Sequence, residues 1–300
     1  MNLAKNVLLL GFFLAACTGN QSKNSKDVIK MGFTPAESTE KVSSNGKVLA
    51  DLLEKSTGYK FQVYVSSDYT ALVEAMKTNQ VQIGWLPPFA FVLAEKKAGA
   101  KVLLKSVRHG QANQYSAIVV RDDSPMKTLE DLKGKTIAWT DPSSSSGHIL
   151  PKSVLISKGI EPDAFFKRQT FAGSHETAVL SVMNKTVDAA ATFSDTGDGK
   201  TGSWTKFAKS FGNKAIALRA VFVTPPMPSD TVSVSKQFAE SDPAKVEKIR
   251  DAIQALAKTP EGLNALKDLY GIEGLVPATS EEYAPLRDAA EKLGYNMGGK

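Results

Sequence analysis

From Val28 to Val223 the chain alternates two kinds of segment, and this alternation restricts the fold more than any other feature. Short apolar runs read as strands: VIKMGF (28–33), FQVYV (61–65), VQIGWL (81–86), KVLLKSV (101–107), YSAIVV (115–120), VDAAATF (187–193) and KAIALRAVFV (214–223). Shorter strands are expected at 137–139 and 168–171. Between them, apolar residues fall at helical spacing. Residues 41–55 place Val48, Leu49, Leu52 and Leu53 on one face, and 69–78, 88–97, 147–158 and 174–184 repeat the pattern. Strands separated by helices of this length indicate βαβ units and parallel sheet, so the expected class is α/β. The tail differs: 243–258, 260–269 and 280–293 read as three helices joined by short loops.

About 270 residues follow residue 27, a length that βαβ units usually divide into two lobes. Crossings are expected near 115–120 and 221–228. Lobe one is then 28–112 plus 225–300, and lobe two is 113–224. Two crossing strands form a hinge, with a ligand cleft between the lobes.

The N-terminus carries Lys5, the apolar run VLLLGFFL (7–14), and then Ala15-Ala16-Cys17. That run is too short to cross a bilayer and fits a secretory signal. The sole cysteine stands directly after the alanine pair, which resembles a bacterial lipobox; the alternative is an ordinary signal beside an incidental cysteine. The lipobox reading makes 1–16 a signal peptide and 17–27 a lipidated Cys17 with a polar tether. The chain would be exported, periplasmic or at the cell surface, and lipid-anchored to a bacterial membrane. A single cysteine forms no intrachain disulfide. The formal net charge of +6 is spread out, without the clustered Lys/Arg of a nucleic-acid binder.

Candidate chemistry centres on KTIAWTDPSSSSGHILPKSVLISKG (135–159). Ile137 to Trp139 form a strand, Asp141-Pro142 ends it, and a helix begins near Gly147. Ser143 to Ser146 therefore sit at a helix N-terminus, where unpaired N–H groups and hydroxyls suit an anion with several oxygens. Alternatively, one serine caps the helix and the rest fill a loop. In FAGSHET (171–177), Gly173-Ser174 reads as a turn and N-cap, so His175 either donates to the same anion or is a capping histidine. Asp195 follows a strand end, where open α/β sheets bind ligands, or is a turn residue. Tyr69 either caps its helix end or turns its phenol into the cleft. Three histidines and one cysteine match no zinc spacing, and no G-x-S-x-G elbow occurs. The GKT of DTGDGKTG (195–202) lacks the phosphate-loop glycine, because position 194 is serine, and reads as a surface turn. Neither an enzyme, a metal nor a cofactor is expected.

Together these residues resemble the periplasmic binding proteins of phosphonate import systems. DPSSSSG and GSHET carry the likeness, with SDYTALVEAM, VDAAATFSDT and the short turn MPSD. The resemblance implies a type II periplasmic-binding-protein fold whose lobes close on ligand. It places phosphonate-oxygen contacts on Ser144, Ser145, Ser146, His175 and Tyr69. It places carboxylates for the other end of an aminoalkyl phosphonate on Asp195 and Asp230; these could instead accept from a P–OH group. Gln114 stands where an aromatic phenol is expected, and Pro87 where glycine is usual. The implied partners are a small phosphorus-containing anion and an ABC-type permease, with the receptor a monomer. The alternative is a sensing subunit of the same fold that signals to a membrane histidine kinase.

Overall fold

The computed structural model describes residues 28–210 and 217–295. Cys17, the signal peptide and the tether lie outside the described residues. The chain begins with β1 (Val28–Phe33), α1 (Thr39–Thr57), β2 (Lys60–Val65), α2 (Tyr69–Lys77), β3 (Ile83–Leu86), α3 (Pro88–Ala98) and β4 (Lys101–Val107). It continues through β5 (Asn113–Arg121), β6 (Thr136–Trp139), a π-helical turn (Ser145–Ile149), α4 (Leu150–Ser157) and α5 (Pro162–Phe165). Then come β7 (Arg168–Phe171), α6 (His175–Met183), β8 (Ala189–Ser194), α7 (Ser203–Ser210) and β9 (Leu218–Val223). The last part holds β10 (Met227–Pro228), β11 (Thr231–Val234), α8 (Lys236–Ser241), α9 (Pro243–Leu256), α10 (Pro260–Tyr270), β12 (Gly274–Pro277) and α11 (Ala284–Lys292).

Two mixed sheets result. The first runs β12-β4-β11-β3-β1-β2, and the second runs β10-β5-β8-β6-β7 with β9 also paired to β5. The βαβ units give parallel pairs, β1 with β2 and β3, and β6 with β7 and β8. Antiparallel pairs arise wherever the chain crosses or returns: β11 with β3 and β4, β12 with β4, and β5 with β8 and β9.

Helix ends follow local chemistry. Asp68 accepts the Ala71 N–H at 2.8 Å to start α2, and Ser174 accepts the Thr177 N–H at 3.0 Å to start α6. The three expected tail helices are present as α9, α10 and α11. The short strand β12 lies between the last two, β11 and α8 precede them, and α7 occupies the stretch after the GKT turn. TVSV (231–234) is buried on both faces, but its two serine and threonine hydroxyls interrupt the apolar run that marks a central strand.

Apolar clusters cover both faces of each sheet. One of them joins the sheets. Leu286, Ala289 and Ala290 of α11 pack with α2 and α3 beside the first sheet, and also with Ile149 and Leu150 at the start of α4. The first crossing, from β4 to β5, makes a tight turn at Arg108–Gln111, with His109 (φ 50°) and Gly110 (φ 70°) in the left-handed region.

Candidate functional site

A cavity of about 60 Å³ lies between the two sheets. Tyr69, Trp85, Arg108 and Asp230 line it from the first sheet's side. Ser144, Ser146, His175, Asp195 and Lys206 line it from the second, and Gln114 from the crossing strand.

The serine loop is built by close approach to the end of β6. Asp141 Oδ1 accepts the Ser143 N–H at 2.7 Å, and Ser144 Oγ accepts the Gly147 N–H at 3.1 Å as the cap of the π-helical turn. Thr140 donates its N–H to the Gly147 carbonyl at 3.0 Å. A β-carbon at Gly147 would fall 2.1 Å from Thr140 Oγ1 and 2.3 Å from Thr140 Cβ, so only glycine fits.

The four serines differ in what they touch. Ser143 Oγ meets Thr70 Oγ1 at 3.0 Å, and Ser145 Oγ accepts the Phe89 N–H at 2.7 Å; both bonds join the lobes. The expectation of a ligand contact from Ser145 is therefore corrected in geometry, since its hydroxyl faces α3 and not the cavity. The cause is local: α3 opens with Pro87 and Pro88, so the Phe89 N–H is its first free donor, and Ser145 caps it. Ser146 lines the cavity, and its hydroxyl has no protein partner among the described residues. The first N–H groups of this turn also have no partner within the helix.

Tyr69 is fully buried at the start of α2, and among the described residues its phenol makes no hydrogen bond of ordinary length, with the Ser144 side chain close enough to oppose part of its pKa shift. Burial raises its pKa well above the usual value, and the charge of Asp141 adds to the shift. The phenol therefore remains a proton donor.

His175, buried at the first turn of α6, places Nδ1 at 2.8 Å from Thr192 Oγ1 and 3.1 Å from Thr140 Oγ1. Thr140 donates its proton to the Ala191 carbonyl at 3.1 Å, which leaves Thr192 as the hydroxyl that shares a proton with Nδ1. Ser203 Oγ stands 2.5 Å from Thr192 Oγ1 and completes the relay. When Thr192 donates to Nδ1, the neutral ring carries its proton on Nε2, which has no partner among the described residues. Burial, with a smaller contribution from Lys206, lowers its pKa to about 3 and keeps it neutral.

The carboxylates are placed less simply. Asp230 Oδ2 accepts from Arg108 Nη2 at 2.7 Å, and its Oδ1 accepts from Gln114 Nε2 at 3.0 Å. Asp195 Oδ2 lies 3.6 Å from His109 Nε2, across the cleft. Glu37 pairs with Lys206, again between lobes. Arg108, Trp85 and Lys206 were not singled out from sequence. Arg108 directly follows a strand, a position that does mark ligand sites in α/β sheets. Trp85 was hidden inside a run that reads as core, and Lys206 lies on α7, which the sequence pattern did not reveal. Among the described residues no group of three or more His, Cys, Asp or Glu side chains could hold a metal ion, and no helix is long and apolar enough to cross a membrane.

The family model for ABC transporter, phosphonate, periplasmic substrate-binding proteins matches residues 31–283. The chain belongs to that family. It is 27% identical over 274 residues to the phosphonates-binding periplasmic protein of Escherichia coli K12, covering 90% of this chain and 78% of the relative. It is 28% identical over 208 residues to the phosphate-import protein PhnD of Mycolicibacterium smegmatis, covering 64% of each. PhnD1 of Prochlorococcus marinus, solved in complex with methylphosphonate, shares the fold with a TM-score of 0.78 at 18% identity; the match covers 90% of this chain and 99% of that one.

Proposed function

We propose that this family member is a lipid-anchored receptor that captures a phosphorus oxyanion between two lobes and presents it to an ABC-type permease. One observation carries the reading. Three polar groups without protein partners among the described residues meet at one cavity: the Ser146 hydroxyl, the Tyr69 phenol and Nε2 of His175, which donates when Thr192 donates to Nδ1. Donors so arranged, with the free N–H groups of a helix start, suit a tetrahedral anion and leave a neutral ligand's needs unmet. Ser144 orders the turn by capping it.

The lobes divide at the crossings, 28–112 plus 225–300 against 113–224, and the ligand favours closure by touching both. Bonds between lobes, Ser145 to Phe89 and Glu37 to Lys206, support a closed arrangement. Binding needs no covalent step, so the receptor is read as a binding protein and not an enzyme; we take it to act as a monomer. Cys17 carries the lipid.

The test is calorimetric titration of the purified chain, refolded to remove carried-over anion, with phosphonates, phosphite, phosphate and sulfate. A ligand at 100 times its Kd stabilises by about 2.7 kcal/mol, which also shows as a melting shift. Loss of binding in Ser146→Ala is the expected result. An unchanged affinity in that variant, or no response to any phosphorus compound, refutes the reading. Incorporation of labelled palmitate that disappears in Cys17→Ala tests the anchor.

A further inference from the structure

We infer that the first-lobe wall of this cavity excludes an ammonium group, so that the receptor takes phosphorus oxyanions with a short, uncharged substituent in preference to aminoalkyl phosphonates. The inference rests on the phosphorus-oxyanion reading above and narrows its ligand class.

Asp230, the first-lobe carboxylate of the two that an amine could meet, is already compensated. Arg108 Nη2 reaches Oδ2 at 2.7 Å and Gln114 Nε2 reaches Oδ1 at 3.0 Å. The guanidinium is itself held in place, donating Nε–H to the Tyr270 carbonyl at 2.9 Å and Nη1–H to Ser106 Oγ at 2.9 Å. It cannot swing away without breaking those bonds. An ammonium beside Asp230 would meet the Arg108 charge at close range, where attraction to one partner and repulsion from the other largely cancel. Beside them stands Trp85, 3% exposed, whose Nε1–H is buried without a partner among the described residues. An indole N–H only donates, so the group that satisfies it is an acceptor oxygen and never an ammonium.

Asp195, which meets no lysine or arginine among the described residues, is left to accept the hydrogen of a P–OH group.

The experiment is a titration of the refolded full chain with methylphosphonate, phosphite, phosphate and 2-aminoethylphosphonate. At least one of the first three is expected to bind about tenfold or more tightly than the aminoalkyl compound. Equal or tighter binding of 2-aminoethylphosphonate overturns the inference while leaving the oxyanion reading intact. Silence from all four overturns the oxyanion reading and the inference with it. Arg108→Met, which uncovers Asp230, is expected to shrink the preference about tenfold; an undiminished preference in the folded variant overturns the role of the pair. If Arg108→Met does not fold, Trp85→Phe keeps the aromatic bulk and removes only the donor. It is expected to weaken the small oxyanions about tenfold and to leave the aminoalkyl compound unchanged, and uniform affinities would overturn the role of the indole.

Discussion

The hydroxyl of Ser145 accepts the Phe89 N–H at 2.7 Å, so a helix of the first lobe receives its cap from the second. This bond exists only while the lobes are together. Ser145→Ala is expected to cost the closed state about 1 kcal/mol, the usual worth of a cap. Apparent affinity should then fall about fivefold, by one factor for every ligand, because the hydroxyl does not line the cavity. Calorimetry across several oxyanions measures this. A loss that varies strongly between ligands would place Ser145 in direct contact with them.

Tyr69 offers a different signature. Its buried phenol has no partner at hydrogen-bond distance among the described residues, so Tyr69→Phe should leave the ligand-free chain as stable or more stable by about 1 kcal/mol. The same change should weaken oxyanion binding about tenfold, since hydrogen bonds to charged groups are worth about 1.5–3 kcal/mol. Melting curves with and without ligand read both effects, and a destabilised ligand-free variant would contradict the assignment.

Gly147 is held against Thr140, with 2.1 Å between a would-be β-carbon and Thr140 Oγ1. Gly147→Ala must push the serine loop off the strand end. A loss of about 1–3 kcal/mol is expected, together with loss of oxyanion binding. Urea unfolding and titration of the folded fraction check the two parts separately.

Acid should destabilise the fold through two buried imidazoles. Burial lowers His148 to about 4 and His175 to about 3. In the unfolded chain each returns to about 6.5, so unfolding takes up protons wherever the pH lies below that value. Their stabilising effect is complete above about pH 6.5 and is lost progressively as the pH falls toward about 3 to 4. The slope is at most about 1.4 kcal/mol per pH unit for each ring. Urea unfolding at about pH 7 and about pH 5 should show the decline, and His148→Gln should flatten it. An equal slope in wild type and variant would refute the contribution of His148.

Much of this was legible in the sequence because its physics is local. The alternation of strands and helices needs only periodicity, and the serine loop and His175 were visible as hydroxyls and a ring at helix starts. What escaped depends on distant partners. That Asp230 is compensated follows from Arg108 and Gln114, which approach it only once β4, β5 and the turn before β11 assemble. That Ser145 faces α3 follows from two prolines 57 and 58 residues earlier, a relationship no local window contains. The strand β12 reads as GLVP, four residues ending in proline, too short to show its period and confined to a sheet edge.

The last helix sets the mechanics of the whole. With α11 seated on α3 and on the start of α4, the two halves are mounted at three points and not on two strands alone. Any gape at the mouth must be matched by Ile149 and Leu150 sliding on Leu286 and Ala290, and full separation would wet leucines at about 1.5–3 kcal/mol each. Opening of the proposed hinge is therefore expected to carry the cost of parting this apolar seam.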